Sequence, residues 1–257
     1  MGKKYEDVVY DSERDLKMDI YADEESENTV FYIHGGSLEC GDKTFGPMLG
    51  ELCSSGFSVI SVDYRLYPRA KFPEFIEDCA KALSFTVENR KKYGYGGKIV
   101  IVGGSAGAYI SLMLYFDERY LKKYGLSAKD FHGFLIDSAQ PTTHFNVLRE
   151  RNLPTYAVRV DDAAPIYFIE NKNYGALLYI VTYENDMFCR KEQNEMLDKT
   201  LQSYGVGHKF FVLAGGHCSG EWPDEKGEIR LLSIIDEMID DKTNLHGSKG
   251  RSMPRER

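Results

Sequence analysis

Short runs of mainly apolar residues recur along the chain: KYEDVVY (4–10), DLKMDIY (15–21), NTVFYIH (28–34), FSVISVDY (57–64), KIVIVGG (98–104), HGFLIDS (132–138), LLYIVTY (177–183) and HKFFVLAG (208–215). Their length and their content of Val, Ile, Phe and Tyr predict strands, eight in all. No helical pattern separates the first two. From the third onward, helix-period segments fill the intervals. Residues 73–93 set Phe75, Ile76, Cys79, Ala80, Leu83 and Val87 on one face of a predicted helix, with Gly94 as its stop. Leu231, Leu232, Ile235 and Met238 repeat the device in a final helix. Two leading strands followed by alternating β and α predict an α/β fold. Its sheet is mostly parallel and eight-stranded, antiparallel at its beginning, with helices on both faces. Ligands of such sheets bind beyond the C-terminal strand ends, so chemistry is sought just after each strand.

One segment breaks the rhythm. Residues 141–175, PTTHFNVLRERNLPTYAVRVDDAAPIYFIENKNYG, exceed a plain connection and read as a small lid or cap beside the site. No linker interrupts residues 1–240, which read as a single domain, while residues 241–257 lack apolar periodicity and read as a disordered tail. A chain of 257 residues with 42% hydrophobic content can bury a large core. Its net charge of -8 opposes nucleic acid and anionic membranes, leaving a small neutral or weakly charged molecule as the expected partner. No window approaches the roughly 18 apolar residues of a spanning helix, and the N-terminus has no apolar h-region, so a cytoplasmic protein is expected. Cys40, Cys53, Cys79, Cys189 and Cys218 form no CxxC pair and read as reduced thiols. Oligomeric state stays open, a homo-oligomer included.

Gly103-Gly104-Ser105-Ala106-Gly107 stands between a predicted strand and a helix-like run, the context of a Gly-x-Ser-x-Gly nucleophile elbow. A tight strand-to-helix turn needs small neighbours, and the helix N-terminus favours negative charge near Oγ. The alternative is a glycine-rich turn in which Ser105 merely caps the helix. A hydroxyl needs a base to become a nucleophile near neutral pH. Of the six histidines, His217 alone follows the last strand on a glycine-rich loop, in VLAGGHCSGEW. An acid must then orient the imidazole and stabilise its protonated form. Asp186 in TYENDMF is the choice, with Glu184 and Asp137 as weaker alternatives. The order Ser105, Asp186, His217 is that of an α/β-hydrolase triad. Backbone N–H groups of Gly36 and Ser37, in YIHGGS, and of Ala106 are candidate oxyanion donors.

These residues resemble the hormone-sensitive-lipase-like and carboxylesterase branch of the α/β-hydrolases, which includes bacterial acetyl and feruloyl esterases and kynurenine formamidases. The likeness covers most of residues 15–240. Beyond HGG and GGSAG it rests on DYRLYPRAKFPEFIED, where Asp63, Tyr64, Arg65, Leu66, Pro68, Phe72, Pro73 and Asp78 keep the family's spacing. Family members use the backbone after His-Gly as oxyanion hole, which here implies Gly36 and Ser37 with Ala106. Ser37 replaces a frequent third glycine and Leu38 a common aromatic, implying a different pocket beside this loop. The resemblance implies an α/β-hydrolase fold with a small lid insertion. The function it implies is that of a serine carboxylic-ester hydrolase for short-chain acyl esters, with no metal or cofactor. Alternatives are an arylformamidase or other amidase with the same triad, and a non-catalytic binding member of the fold.

Overall fold

Each of the eight apolar runs becomes a strand of one sheet: β1 Lys3–Asp11, β2 Leu16–Ala22, β3 Asn28–Ile33, β4 Ser58–Val62, β5 Lys98–Gly104, β6 Gly133–Asp137, β7 Leu177–Asn185 and β8 Lys209–Gly216. The structure, a computed structural model, describes residues 2–23 and 25–243. The disordered tail expected at 241–257 lies outside them from residue 244 onward. Strand order is β1-β2-β4-β3-β5-β6-β7-β8. β1, β2 and β4 pair antiparallel; β4, β3 and all later neighbours pair parallel.

Strand alternation sends side chains to two core layers. In the central strands, Phe31, Ile33, Ile99 and Ile101 enter the layer on one face, whereas Val30, Tyr32, Val100 and Val102 enter the layer on the other. The helices are α1 Leu49–Ser54, α2 Glu74–Glu88, α3 Arg90–Tyr93, α4 Ala106–Phe116, α5 Glu118–Lys122, α6 Phe145–Glu150, α7 Arg190–Tyr204 and α8 Arg230–Asp240. Buried residues of α2, α4 and α7 cover the first layer, and those of α1 and α8 the second. Every residue of α4 is buried, which explains why AGAYISLMLYF is apolar all round.

The single helix expected over 73–93 is two. Asn89 Nδ2 donates to Phe85 O at 2.9 Å, offering the backbone a local alternative that ends α2. Gly94, at φ 76°, then closes α3 with its N–H on Arg90 O. In α8 the buried stripe contains Ile234 and Ile239 beside Leu231, Ile235 and Met238, while Leu232 is only half-buried.

After β4 the chain is fixed by Arg65, whose Nε and Nη2 each donate to the nearly inaccessible Asp78 carboxylate at 2.8 Å. The Arg65 N–H adds a third bond to Asp78 at 3.0 Å, and Glu74 flanks the guanidinium. Asp78→Ala should therefore cost about 3 kcal/mol, the low end for breaking a buried pair because Glu74 remains. Urea unfolding measures it, and a loss below about 1 kcal/mol would mean that the fork is only a surface pair.

Residues 141–175 contain α6 and a 3-10 turn at Pro165–Phe168. Tyr109 OH donates to Ala163 O at 2.7 Å, and Asn146 Nδ2 to Ser37 O at 2.6 Å. The segment is thus fastened to α4 and to the loop after β3.

Candidate active site

Register brings the strand ends level. Ile33 pairs with Gly103, Gly104 with Asp137, and Asn185 with Gly216, so the loops after β3, β5, β6, β7 and β8 open on one edge of the sheet. Ser105 lies at the strand-to-helix junction with φ 53° and ψ -110°. Such a left-handed backbone is costly for a residue with a Cβ and is held here by its surroundings. Its N–H donates to Asp137 O at 2.8 Å, and its carbonyl accepts from Tyr109 in the first turn of α4. A Cβ on Gly107 would overlap the Ile33 carbonyl, and one on Gly103 would press into Gly107, so the small residues permit the close approach of α4 to β3 and β5. Ser105 makes no side-chain cap bond, contrary to the helix-capping alternative.

Its Oγ lies 2.8 Å from His217 Nε2, and His217 Nδ1 lies 2.5 Å from Asp186 Oδ1. The structure thus brings together the three residues chosen from the sequence. His217 reaches this position because β8 ends in Gly215-Gly216; Gly215 has φ 125°, and a side chain there would overlap Ser219 Oγ. The loop is then held by Cys218 N–H on Ser138 Oγ at 3.1 Å and by Gly220 N–H on Tyr183 OH at 2.8 Å.

Asp186 follows an irregularity in the β7–β8 pairing between Tyr183 and Asn185, which leaves Glu184 exposed and turns the aspartate toward the imidazole. Met187 N–H donates to its Oδ1 at 2.7 Å and Thr182 Oγ1 to its Oδ2 at 3.2 Å. Burial works to raise this carboxyl, but the bond from His217, its charge and the Met187 N–H outweigh burial and hold it below the usual carboxylate range. Asp137, the other alternative acid, lies wholly buried behind the elbow. Burial and the neighbouring Glu221 charge push it well up.

The loop after β3 passes the nucleophile closely: a Cβ on Gly35 would lie 3.4 Å from Ser105 Cβ. Gly36, Ser37 and Leu38 all have positive φ, at 102°, 60° and 65°. Among the described residues, the Gly36 and Ser37 N–H groups donate to no backbone carbonyl, and Ala106 N–H belongs to the unpaired first turn of α4. Leu38 is fully buried in the core and so walls no open pocket. His34 is structural. It stacks on Tyr64 at 4.3 Å, its Nδ1 donates to Gly35 O at 2.7 Å, and burial lowers its pKa to about 4, which keeps it neutral.

A groove of about 230 Å³ lies between the 141–175 segment and the residues after Asp186, lined among others by Gln140, Phe145, Tyr156, Met187, Phe188 and Arg190. A larger cavity, about 520 Å³, lies at the opposite end of α4 beside Leu114, Tyr115 and Lys129. Neither is lined by Ser105, Asp186 or His217, but the groove includes Met187, next in the chain to Asp186. Donor atoms of Asp137, Cys218 and Glu221 lie within 4.8 Å of one another, close enough to hold a cation. No helix among the described residues is long and apolar enough to cross a membrane. Sequence reading missed Ser138, Tyr183, Asn146 and Glu221, none of which stands in a motif.

The family model BD-FAE matches residues 18–147, a segment that holds both the His-Gly-Gly loop and the elbow. The chain belongs to the BD-FAE family. Among curated relatives, this BD-FAE chain is 29% identical over 125 residues to a probable isoprenylcysteine alpha-carbonyl methylesterase of Arabidopsis thaliana, covering 47% of the chain and 30% of the relative. It is 32% identical over 90 residues to an acetyl esterase of Salmonella paratyphi B, covering 34% and 28%. It therefore spans about 30% of the length of the curated relatives it matches. Esterase B from Lactobacillus rhamnosis superposes with a TM-score of 0.77 at 16% identity, over 93% of this chain and 85% of that one. At that identity the likeness speaks for the fold, and the fold is that of the α/β-hydrolases.

Proposed function

We propose that the chain is a serine hydrolase of carboxylic esters, acting on short-chain acyl esters of small molecules. The observation that carries this reading is the unbroken line from Ser105 Oγ through the His217 ring to Asp186, at 2.8 and 2.5 Å. In this mechanism His217 Nε2 takes the Ser105 proton as Oγ bonds to the acyl carbon. Asp186 stays ionised and steadies the imidazolium. The oxyanion is met by N–H groups of Gly36 or Ser37 and of Ala106. The imidazolium passes its proton to the leaving alcohol, giving an acyl-Ser105 ester. Water then gives a proton to His217 and attacks that ester, releasing the acid and restoring the serine hydroxyl. Two curated relatives, a methylesterase and an acetyl esterase, support the ester as the bond cleaved.

In the same reading residues 1–240 act as one domain and residues 141–175 cap the site. The groove beside Asp186, at about 230 Å³, falls below the roughly 300 Å³ at which drug-sized ligand pockets begin. Small acyl groups suit it. The test is kcat/KM for p-nitrophenyl acetate, butyrate, octanoate and palmitate. Acetate or butyrate should be preferred, with no rise in rate above the solubility limit. A maximum at octanoate or longer would refute the short-acyl assignment, and no turnover of any ester would refute the esterase reading.

A further inference from the structure

We infer that Glu221 is a positioning residue for the proposed triad, its buried carboxyl filling the space that Gly104 leaves open beneath the elbow and tying the His217 loop to β3 and β5. The inference deepens the esterase reading and rests on it.

Gly104 immediately precedes the nucleophile, and a Cβ there would overlap Glu221 Oε1. The glutamate therefore occupies, from another loop, the volume a side chain at 104 would take. Its other oxygen, Oε2, accepts from Tyr32 OH at 2.9 Å, at the end of the strand that leads into the His-Gly-Gly turn. Glu221 ends the 3-10 turn that starts just after His217. One carboxyl thus touches the peptide before the nucleophile and the strand before the candidate oxyanion loop, and it belongs to the loop of the base.

Packing alone does not call for this residue. A leucine or methionine would fill the same volume, whereas a fully buried acid costs free energy unless its polar atoms are bonded. The cost is visible here. Burial pushes the Glu221 carboxyl up to about 7, against the opposing effect of the Tyr32 bond, and Asp137 nearby is pushed up as well. What a carboxyl supplies and an alkyl chain does not is the bond accepted from the Tyr32 hydroxyl, which holds the side chain packed against Gly104. Because a glutamine oxygen can accept from Tyr32 OH in the same way and the side chain has the same volume, glutamine should replace it tolerably.

Glu221→Ala should lower kcat for p-nitrophenyl acetate by about 10- to 100-fold through a small displacement of His217, with KM little changed. The low-field proton resonance of His217 Nδ1, bonded to Asp186, should shift or broaden. Glu221→Gln should retain kcat within about threefold and keep the resonance, since misplacement rather than lost charge is at issue. Gly104→Ala, harmful while Glu221 fills that space, should add no further loss in the Glu221→Ala background. Should Glu221→Ala fail to fold, Tyr32→Phe removes the donor alone and is read the same way. A folded Glu221→Ala protein with parental kcat and resonance would overturn the inference, as would additive losses in the double variant. Stoichiometric zinc in the parent that is lost in Glu221→Gln would overturn it too, making Glu221 a ligand instead. If the parent cleaves no ester, the esterase reading fails, and the resonance still decides whether Glu221 positions His217.

Discussion

Ser105→Ala is expected to remain folded while its ester turnover falls by about 10⁶-fold, the scale of loss when a hydrolase nucleophile is removed. The fold should survive because the hydroxyl makes no cap bond and the backbone bonds of residue 105 do not involve it. Alanine accepts the same positive φ at the same cost. Turnover should collapse because, among the described residues, Ser105 alone places a hydroxyl on His217 Nε2, so the acyl-enzyme route closes. Residual hydrolysis from oxyanion binding alone should be slow. A fluorophosphonate probe should label the parent and not the variant. Parental labelling or turnover in a variant with a native melting curve would remove Ser105 from its role and the proposed mechanism with it.

The strands were readable because most are buried on both faces. VFYI, IVIV and LLYIV are continuous apolar runs that only a covered sheet can use, and the loops after these strands mark the edge where the chain turns. Ser105 and His217 were readable for the same reason: each breaks an apolar pattern at a strand end with small neighbours. Asp186 needed more. The sequence offered Glu184 and Asp186 on one loop, and the difference between them is made by a pairing irregularity at the end of β7 that no residue type announces.

Other features depended on contacts distant in the chain. The break at Asn89 turns on one side-chain bond to Phe85, which periodicity does not register. Glu221 pairs with Tyr32 across 189 positions of the chain, and in GGHCSGEW it looks like an ordinary solvated acid. A hint lay in Gly104. A glycine at the variable position of the elbow signals that something else takes its volume, but only the structure says what.

Asp186→Asn is expected to lower kcat by about 10⁴-fold, as when the acid of a serine-protease triad becomes an amide. The substitution keeps the shape: an amide oxygen at the Oδ1 position can still accept from Met187 N–H, and the amide nitrogen can face Thr182 Oγ1. It removes the negative charge facing the imidazolium at the moment Ser105 gives up its proton. Interactions with His217 hold the Asp186 carboxyl below its ordinary range despite burial, so it remains ionised at mildly acidic pH. The sign follows: the stability this carboxylate contributes is present above its unfolded value and is lost as pH falls through the lowered folded one. Protonation of Asp186 should accordingly limit the rate only below the ordinary carboxylate range. Glu184→Gln is the control, since that exposed side chain takes no part in the bonds joining Ser105, His217 and Asp186 and its loss should change kcat by less than about threefold. Single-turnover acylation rates for the two variants settle the assignment. If Glu184→Gln is the crippled enzyme and Asp186→Asn the healthy one, the acid is Glu184, and the 2.5 Å bond to His217 is not the one that works in the transition state.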